Sequence, residues 1–219
     1  MKKCLTTLST LLLAICLTAC ASPAAAPENS TEQTAAQTVK TVSTPEPTST
    51  PEPTPTLEPT PMPDMTVESA GVTDGAMALA YGAKGEQFVK GNVPSRSLPL
   101  TVNYVPEGTA ALALTMIDPD GGDWVHWLVA NIAVDGTSRD IPENASIDWA
   151  NKIVQGKNGF GPNGYGGPTP PSGVHTYVVT VFALSEPLTL SEGFRLADLT
   201  AAMEGKVLAE AVLTGTYAH

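Results

Sequence analysis

Tyr165-Gly-Gly-Pro-Thr-Pro-Pro-Ser-Gly-Val-His-Thr-Tyr177 carries three prolines and three glycines ahead of a His and a Tyr two residues apart. Proline fixes φ and lacks a backbone donor, and glycine loosens the chain, so the Pro/Gly part is neither a helix nor a central strand. It reads as a stiff irregular loop feeding the β-rich run Val178-Val-Thr-Val-Phe-Ala-Leu184. Strand periodicity puts His175 and Tyr177 on one face. A rigid loop beside two polar rings has the makings of a ligand site.

Outward from this stretch, short apolar segments alternate with turn residues. Met77-Ala-Leu-Ala-Tyr81 lies between Gly75 and Gly82 and is expected to be a short strand. Leu98 to Tyr104 is a second, with Pro99 marking its start or an edge. Ala110-Ala-Leu-Ala-Leu-Thr-Met-Ile117 has the composition of either a buried strand or a helix. Its flanks, Gly108 and Asp118-Pro119, favour the strand. Trp127 to Ile132 and Tyr177 to Leu184 follow as strands. A helical period appears only near the end, where Leu196, Leu199 and Met203 share a face before Gly205. Val207 to Tyr217 reads as helix or strand. The class is mainly β with a minor C-terminal helical part.

The ends set the context. Lys2 and Lys3 precede the short apolar core Leu5 to Leu17, so residues 1–20 read as an export signal, too short to span a bilayer. Leu17-Thr-Ala-Cys20 resembles the bacterial lipobox, which implies acylation (palmitate-type) at Cys20 and a membrane-anchored protein facing outward. The other reading is an ordinary signal peptide cut near Ala21-Ser22. Cys4 and Cys16 leave with the signal, so a mature chain would hold Cys20 alone and no internal disulfide. Residues 21–64 are dominated by Pro, Thr, Ala and Glu, with repeats such as Thr44-Pro-Glu-Pro47 and Thr50-Pro-Glu-Pro53. Such a segment buries too little surface to offset its ordering entropy and forms a semi-rigid disordered stalk, open to O-glycosylation.

Residues 65–219 are one domain's worth of chain. Sixteen Asp/Glu against eight Lys/Arg leave this part at −8, within a whole-chain charge of −11. An acidic surface without basic clusters argues against nucleic acid and against electrostatic attachment to anionic lipid. The polar residues collect in two stretches, the opening loop and Asp118-Pro-Asp-Gly-Gly-Asp-Trp-Val-His-Trp127.

In family order the chain shows Asp118-Pro119-Asp120, His126-Trp127, Gly166-Gly-Pro-Thr-Pro-Pro171 and His175-Thr-Tyr177. It thereby resembles the phosphatidylethanolamine-binding proteins, which include the Raf kinase inhibitor proteins. Ser97-Leu-Pro-Leu100, Pro106-Glu-Gly-Thr109 and Gly215-Thr-Tyr217 extend the resemblance over roughly Val67 to Tyr217. It implies a compact fold of antiparallel sheets and a small pocket for phosphate-like anions. The pocket would be built from Asp118, Asp120, His126, His175 and Tyr177, with backbone from Gly167, Pro168, Pro170 and Pro171. The implied function is a non-catalytic binding module for a small anionic or phosphorylated ligand or a lipid headgroup, with no cofactor. The alternative is an extracytoplasmic protein-interaction or inhibitor domain, and a hydrolase is the weaker third reading.

The residues themselves bear on this. Charged histidines donate from both ring nitrogens, a nearby carboxylate favours that form, and Gly-rich backbone can aim N–H groups at an anion. Asp118 and Asp120 oppose a dianion, and their expected work is to orient the histidines and hold the loop. The chain departs from the family pattern at Gly121-Gly-Asp123, Thr169 and Thr176. The bland readings are a core histidine at 126 bonded to a backbone carbonyl, a packed pair at 175 and 177, and a plain turn at 118–122. Trp124 and Trp149 are undetermined, and His219 is assigned no role. No metal is expected: zinc sites favour tighter spacings and Cys ligands. Ser172 lacks the context of an activated nucleophile, and Asp118 and Asp120 sit too close in one turn for opposed acid/base work.

Overall fold

The computed structural model describes residues 63–219, so the readings on the signal, Cys20 and nearly all of the 21–64 stalk fall outside the described residues. In chain order the strands are β1 (Thr66–Glu68), β2 (Val72–Thr73), β3 (Ala76–Met77), β4 (Phe88–Val89), β5 (Val93–Pro94) and β6 (Leu100–Asn103). Then come β7 (Ala111–Asp118), β8 (Trp124–Ile132), β9 (Ser138–Ile141), α1 (Ala145–Asp148), β10 (Val154–Gln155), β11 (Val174–Leu184), α2 (Leu196–Met203) and β12 (Val207–Ala218). A seven-stranded sheet runs β10-β8-β7-β11-β12-β3-β2, beside a three-stranded sheet β1-β6-β9 and a β4-β5 ribbon. All pairings are antiparallel except β12 with β3.

The continuous apolar run of β7 is explained by burial on both faces. Leu112, Leu114 and Met116 join Trp127, Val129, Val179 and Val181, together with Val67, Leu100 and Val102 of the smaller sheet, in one core. Ala113 turns the other way, into a second core with Leu128, Ala130, Leu184, Leu199 and Met203. A strand sealed between two layers needs no polar alternation, which is why its composition alone left helix open. Each fully buried Leu contributes about 1.5–3 kcal/mol, and truncating Leu114, fully buried in β7, to Ala would cost about 2–5 kcal/mol.

Helix α2 occupies the predicted span. Asp198 Oδ2 accepts the Arg195 N–H at 2.8 Å, Leu199 and Met203 are its buried residues, and Gly205, at φ +71°, ends it in a conformation that suits glycine. Val207–Ala218 settles as strand, paired along nearly its whole length with β11. One expectation fails. Met77 to Tyr81 is not a strand: Met77 ends β3, and Leu79–Tyr81 form a 3-10 turn. That turn's carbonyls are taken by distant tyrosines, Leu79 O by Tyr217 Oη at 3.0 Å and Tyr81 O by Tyr165 Oη at 2.9 Å. The second predicted strand is shorter than expected and stops before Tyr104, which sits at φ +56°.

Two bulges shape β8. Met116 faces Trp127 and Ile117 faces Val125, so His126 is the extra residue opposite β7. A bulge leaves one residue unpaired and re-aims its side chain. The second lies at Asn131, at φ +62°, whose side chain clamps Leu188 through both of its backbone groups.

Candidate functional site

The β7–β8 hairpin brings its strand ends together at Asp118 and Trp124. The turn between them is closed by its own first residue: Gly121 N–H donates to Asp118 Oδ1 at 2.8 Å. The other oxygen, Oδ2, accepts His175 Nδ1–H at 2.8 Å. Asp120 Oδ2 accepts the Thr176 N–H at 2.7 Å. The two acids therefore tie the hairpin to the start of β11; of the two histidines they were expected to orient, Asp118 bonds His175 alone. Asp118 does so while only 4% exposed.

His126 is held differently. Its Nδ1–H donates to Gly166 O at 2.5 Å, and Gly166 N–H donates back to His126 O at 2.8 Å. This is the carbonyl-satisfied histidine of the bland reading. Nevertheless its ring borders a cavity, with Nε2 at 4.0 Å from Asp118 Oδ2. Phe160 meets it edge-on at 5.8 Å between centroids, and Tyr177 at 5.0 Å. Burial lowers the His126 pKa and outweighs the raising effects of the Gly166 carbonyl and Asp118. The expectation that a nearby carboxylate would favour the charged ring is thus corrected at this position: the site is too dry.

The cavity, about 530 Å³, is lined by Asp118, Asp120, Gly121, Trp124, His126, Phe160, Thr169, Pro171 and His175. Tyr177 shares a face with His175 but lies beneath the cavity, fully buried, its hydroxyl without a partner. Burial first, and Asp118 second, raise its pKa. Gly167, Pro168 and Pro170 stand behind the lining. Gly167 N–H donates to Pro94 O and Pro168 O accepts Ala83 N–H, both at 2.8 Å. The expected backbone cradle is largely spent: Gly166 and Gly167 give their N–H groups to carbonyls, and the prolines have none. Thr169 alone in Gly166–Pro171 retains an amide hydrogen that no carbonyl holds.

Sequence reasoning left Trp124 open and missed Phe160. The two rings meet edge-on at 5.5 Å, and Trp124 lies so close over Gly159 that a Cβ there would come within 2.3 Å of the indole. The signal for Phe160 was a lone aromatic between Gly159 and Gly161, where only glycine gives an indole room to lie flat. His219, given no role, fastens the loop wall. Its Nδ1–H donates to Pro170 O at 2.9 Å, its N–H to Gly173 O at 2.8 Å, and Lys84 Nζ donates to its carbonyl at 2.7 Å. Among the described residues no group of three or more His, Cys, Asp or Glu is placed to hold a metal ion, and none of their helices is long and apolar enough to cross a membrane.

A family model described as phosphatidylethanolamine-binding protein matches residues 68–218. A crystal structure of a phosphatidylethanolamine-binding protein homologue from Chlamydia trachomatis superposes with a TM-score of 0.60 at 31% identity, covering 71% of this chain and 98% of that one. The Escherichia coli protein YbcL, described as a member of the mammalian family, superposes with a TM-score of 0.61 at 30% identity over 72% of this chain and 99% of its own. Among curated sequences, a UPF0098 protein of Methanothermobacter thermautotrophicus is 40% identical over 140 residues, 58% of this chain and 91% of the relative.

Proposed function

The chain belongs to the phosphatidylethanolamine-binding protein family, and on that premise we propose that it is a non-catalytic binding module whose cavity at Asp118, His126 and His175 takes a small phosphorylated ligand or lipid headgroup. The carrying observation is the convergence of three strands and one rigid loop on that cavity, with both histidines held by their Nδ1–H groups. Each ring thereby turns its second nitrogen to other uses.

Titrating phosphoethanolamine into the full chain should shift the ring signals of His126 and His175 in NMR spectra, more strongly in mildly acidic than in mildly alkaline buffer. Absence of any shift at millimolar ligand would remove this reading. The signal-like residues 1–20, the lipobox ending at Cys20 and the stalk at 21–64 support an exported, lipid-anchored module facing outward. Cys20→Ala should then release the protein into the medium, and continued membrane retention would count against the anchor.

A second reading, docking of an extracytoplasmic protein, draws on β12. Strand β3 covers its outer edge only at Thr216, and Val207, Leu208 and Val212 stand exposed along it. An unpaired edge with apolar side chains can accept an added strand. A pull-down from cell-envelope extract whose partner is lost on Val212→Lys but kept on His126→Ala would favour it.

A further inference from the structure

We infer that the cavity accepts its phosphate only in a proton-bearing form, as a monoanion whose own P–OH groups donate hydrogen bonds, and that it rejects a fully ionised oxyanion of the same size. This rests on the reading of the cavity as a phosphate site and names the form of ligand it takes.

A count of hydrogen-bonding capacity at the lining leads there. Gly166 O is a carbonyl and Asp118 Oδ2 a carboxylate oxygen, so both can only accept. The two histidines must therefore carry their proton on Nδ1. With the rings neutral, each Nε2 is a lone pair. Asp118 and Asp120 add carboxylate oxygens, and no Lys or Arg is among the lining residues. The donors are few. Gly121 N–H is spent on Asp118 and the Thr169 hydroxyl on Gly167 O. What remains is the Trp124 indole N–H, which lies over Gly159, and in the loop the Thr169 amide, which no carbonyl takes and which lies beside the Tyr177 hydroxyl.

A dianion with no hydrogen would face this acceptor-rich surface with nothing to give it. At the buried Asp118 and His126, acceptors left unpaired and like charges brought together each oppose binding, whereas Asp120, Gly121, Trp124, Thr169 and Pro171 form an exposed rim. A dihydrogen phosphate or a protonated phosphomonoester reverses the balance, because its hydroxyls donate to the same oxygens and nitrogens. A charged His175 would add one donor, its Nε2–H, without making the lining donor-rich. Its charge is matched by Asp118 at 2.8 Å, and the His126 Nε2 and Asp120 still accept. Tyr177 lies buried beneath the cavity, where burial and then Asp118 keep its hydroxyl protonated, so it supplies no charge. Discrimination of this kind comes from unpaired groups left by the wrong ligand more than from attraction to the right one.

The test compares inorganic phosphate, phosphoethanolamine and sulfate on the full chain, read by calorimetry and by the His126 and His175 ring signals. Sulfate matches phosphate in shape but has no proton near neutrality. At about pH 6, close to the second pKa of a phosphomonoester, sulfate is expected to bind at least about tenfold more weakly than either phosphate compound. Above that pKa the phosphate affinities should fall by about tenfold per pH unit as the monoanion disappears. Asp118→Asn, with its amide spectrum checked for an intact fold, should narrow the gap by letting sulfate gain on phosphate. Sulfate binding as tightly as phosphate, or phosphate affinity that does not change with pH, would overturn the inference and leave the cavity reading standing. No shift with any of the three compounds would remove both.

Discussion

The two walls of the cavity are built on opposite plans. One wall is strand: Asp118, His126 and His175 come from β7, β8 and β11, where sheet pairing fixes each Cα and the His126 bulge re-aims one ring. The other is the loop from Gly164 to Pro171, buried except at Thr169 and Pro171, the two residues that line the cavity. The strand wall carries the titratable groups. The loop wall spends its polar backbone on the protein itself, docking to Tyr81–Ala83 and Pro94. Chemistry and shape have been assigned to different parts of the chain, so damage to each should look different.

The largest effect is expected in the loop wall. A Cβ at Gly167 would stand 2.1 Å from the Tyr81 carbonyl oxygen and 3.0 Å from Pro94 Cβ, and backbone cannot swing aside. Gly167→Ala should cost more than about 3 kcal/mol, measured by denaturant unfolding; a cost near zero would mean that the loop is not fixed as described. Asp118→Ala comes next. It strands the Gly121 N–H and the His175 Nδ1–H, for a loss of about 2–3 kcal/mol, and it should also abolish the ligand-induced shift of His175, which Gly167→Ala would alter only by unfolding the site.

His126 gives a subtler test of the strand wall. Burial holds its pKa below the ordinary 6.5, so the unfolded chain binds a proton there before the native one does. Its contribution is complete above about pH 6.5 and is lost as pH falls toward the native pKa, with a slope of at most about 1.4 kcal/mol per pH unit. His126→Gln should flatten that part of a stability-against-pH curve; an unchanged curve would show that the ring is wetter than its surroundings indicate. The smallest effect belongs to His219→Ala. Loss of the bond to Pro170 should cost under about 1 kcal/mol, speed amide exchange near Gly173 and leave the His126 ring signal in place. If that signal moved as well, the walls would be coupled after all.

Much of the fold was legible along the chain. Strands β7, β8 and β11 were announced by apolar runs closed by Gly, Asp-Pro or Pro/Gly punctuation, and α2 by the spacing of Leu196, Leu199 and Met203. β1 and β9, three and four residues long, left no periodic signal. Met77 to Tyr81 misled because its alternation is local, whereas its hydrogen bonds are decided by Tyr165 and Tyr217, residues 84 and 138 positions away from their partners. Of the cavity lining, Asp118, Asp120, His126 and His175 were named from the sequence through the family resemblance. Phe160 was not, because a single aromatic among glycines carries no period.

What the sequence determined by itself is the stiffness of the Tyr165–Tyr177 loop, the sharing of one face by His175 and Tyr177, and the turn at Asp118. These follow from covalent restriction of φ and from the two-residue repeat of a strand, properties that need no neighbours. Only the tertiary structure decided which atoms face the cavity. The Gly167 amide, the Tyr177 hydroxyl and the second nitrogen of His126 are each assigned by a partner, or the lack of one, brought from elsewhere in the chain. Hydrogen-bonding capacity is fixed by residue type, but what remains of it for a ligand is set by long-range packing, which uses up some groups and buries others.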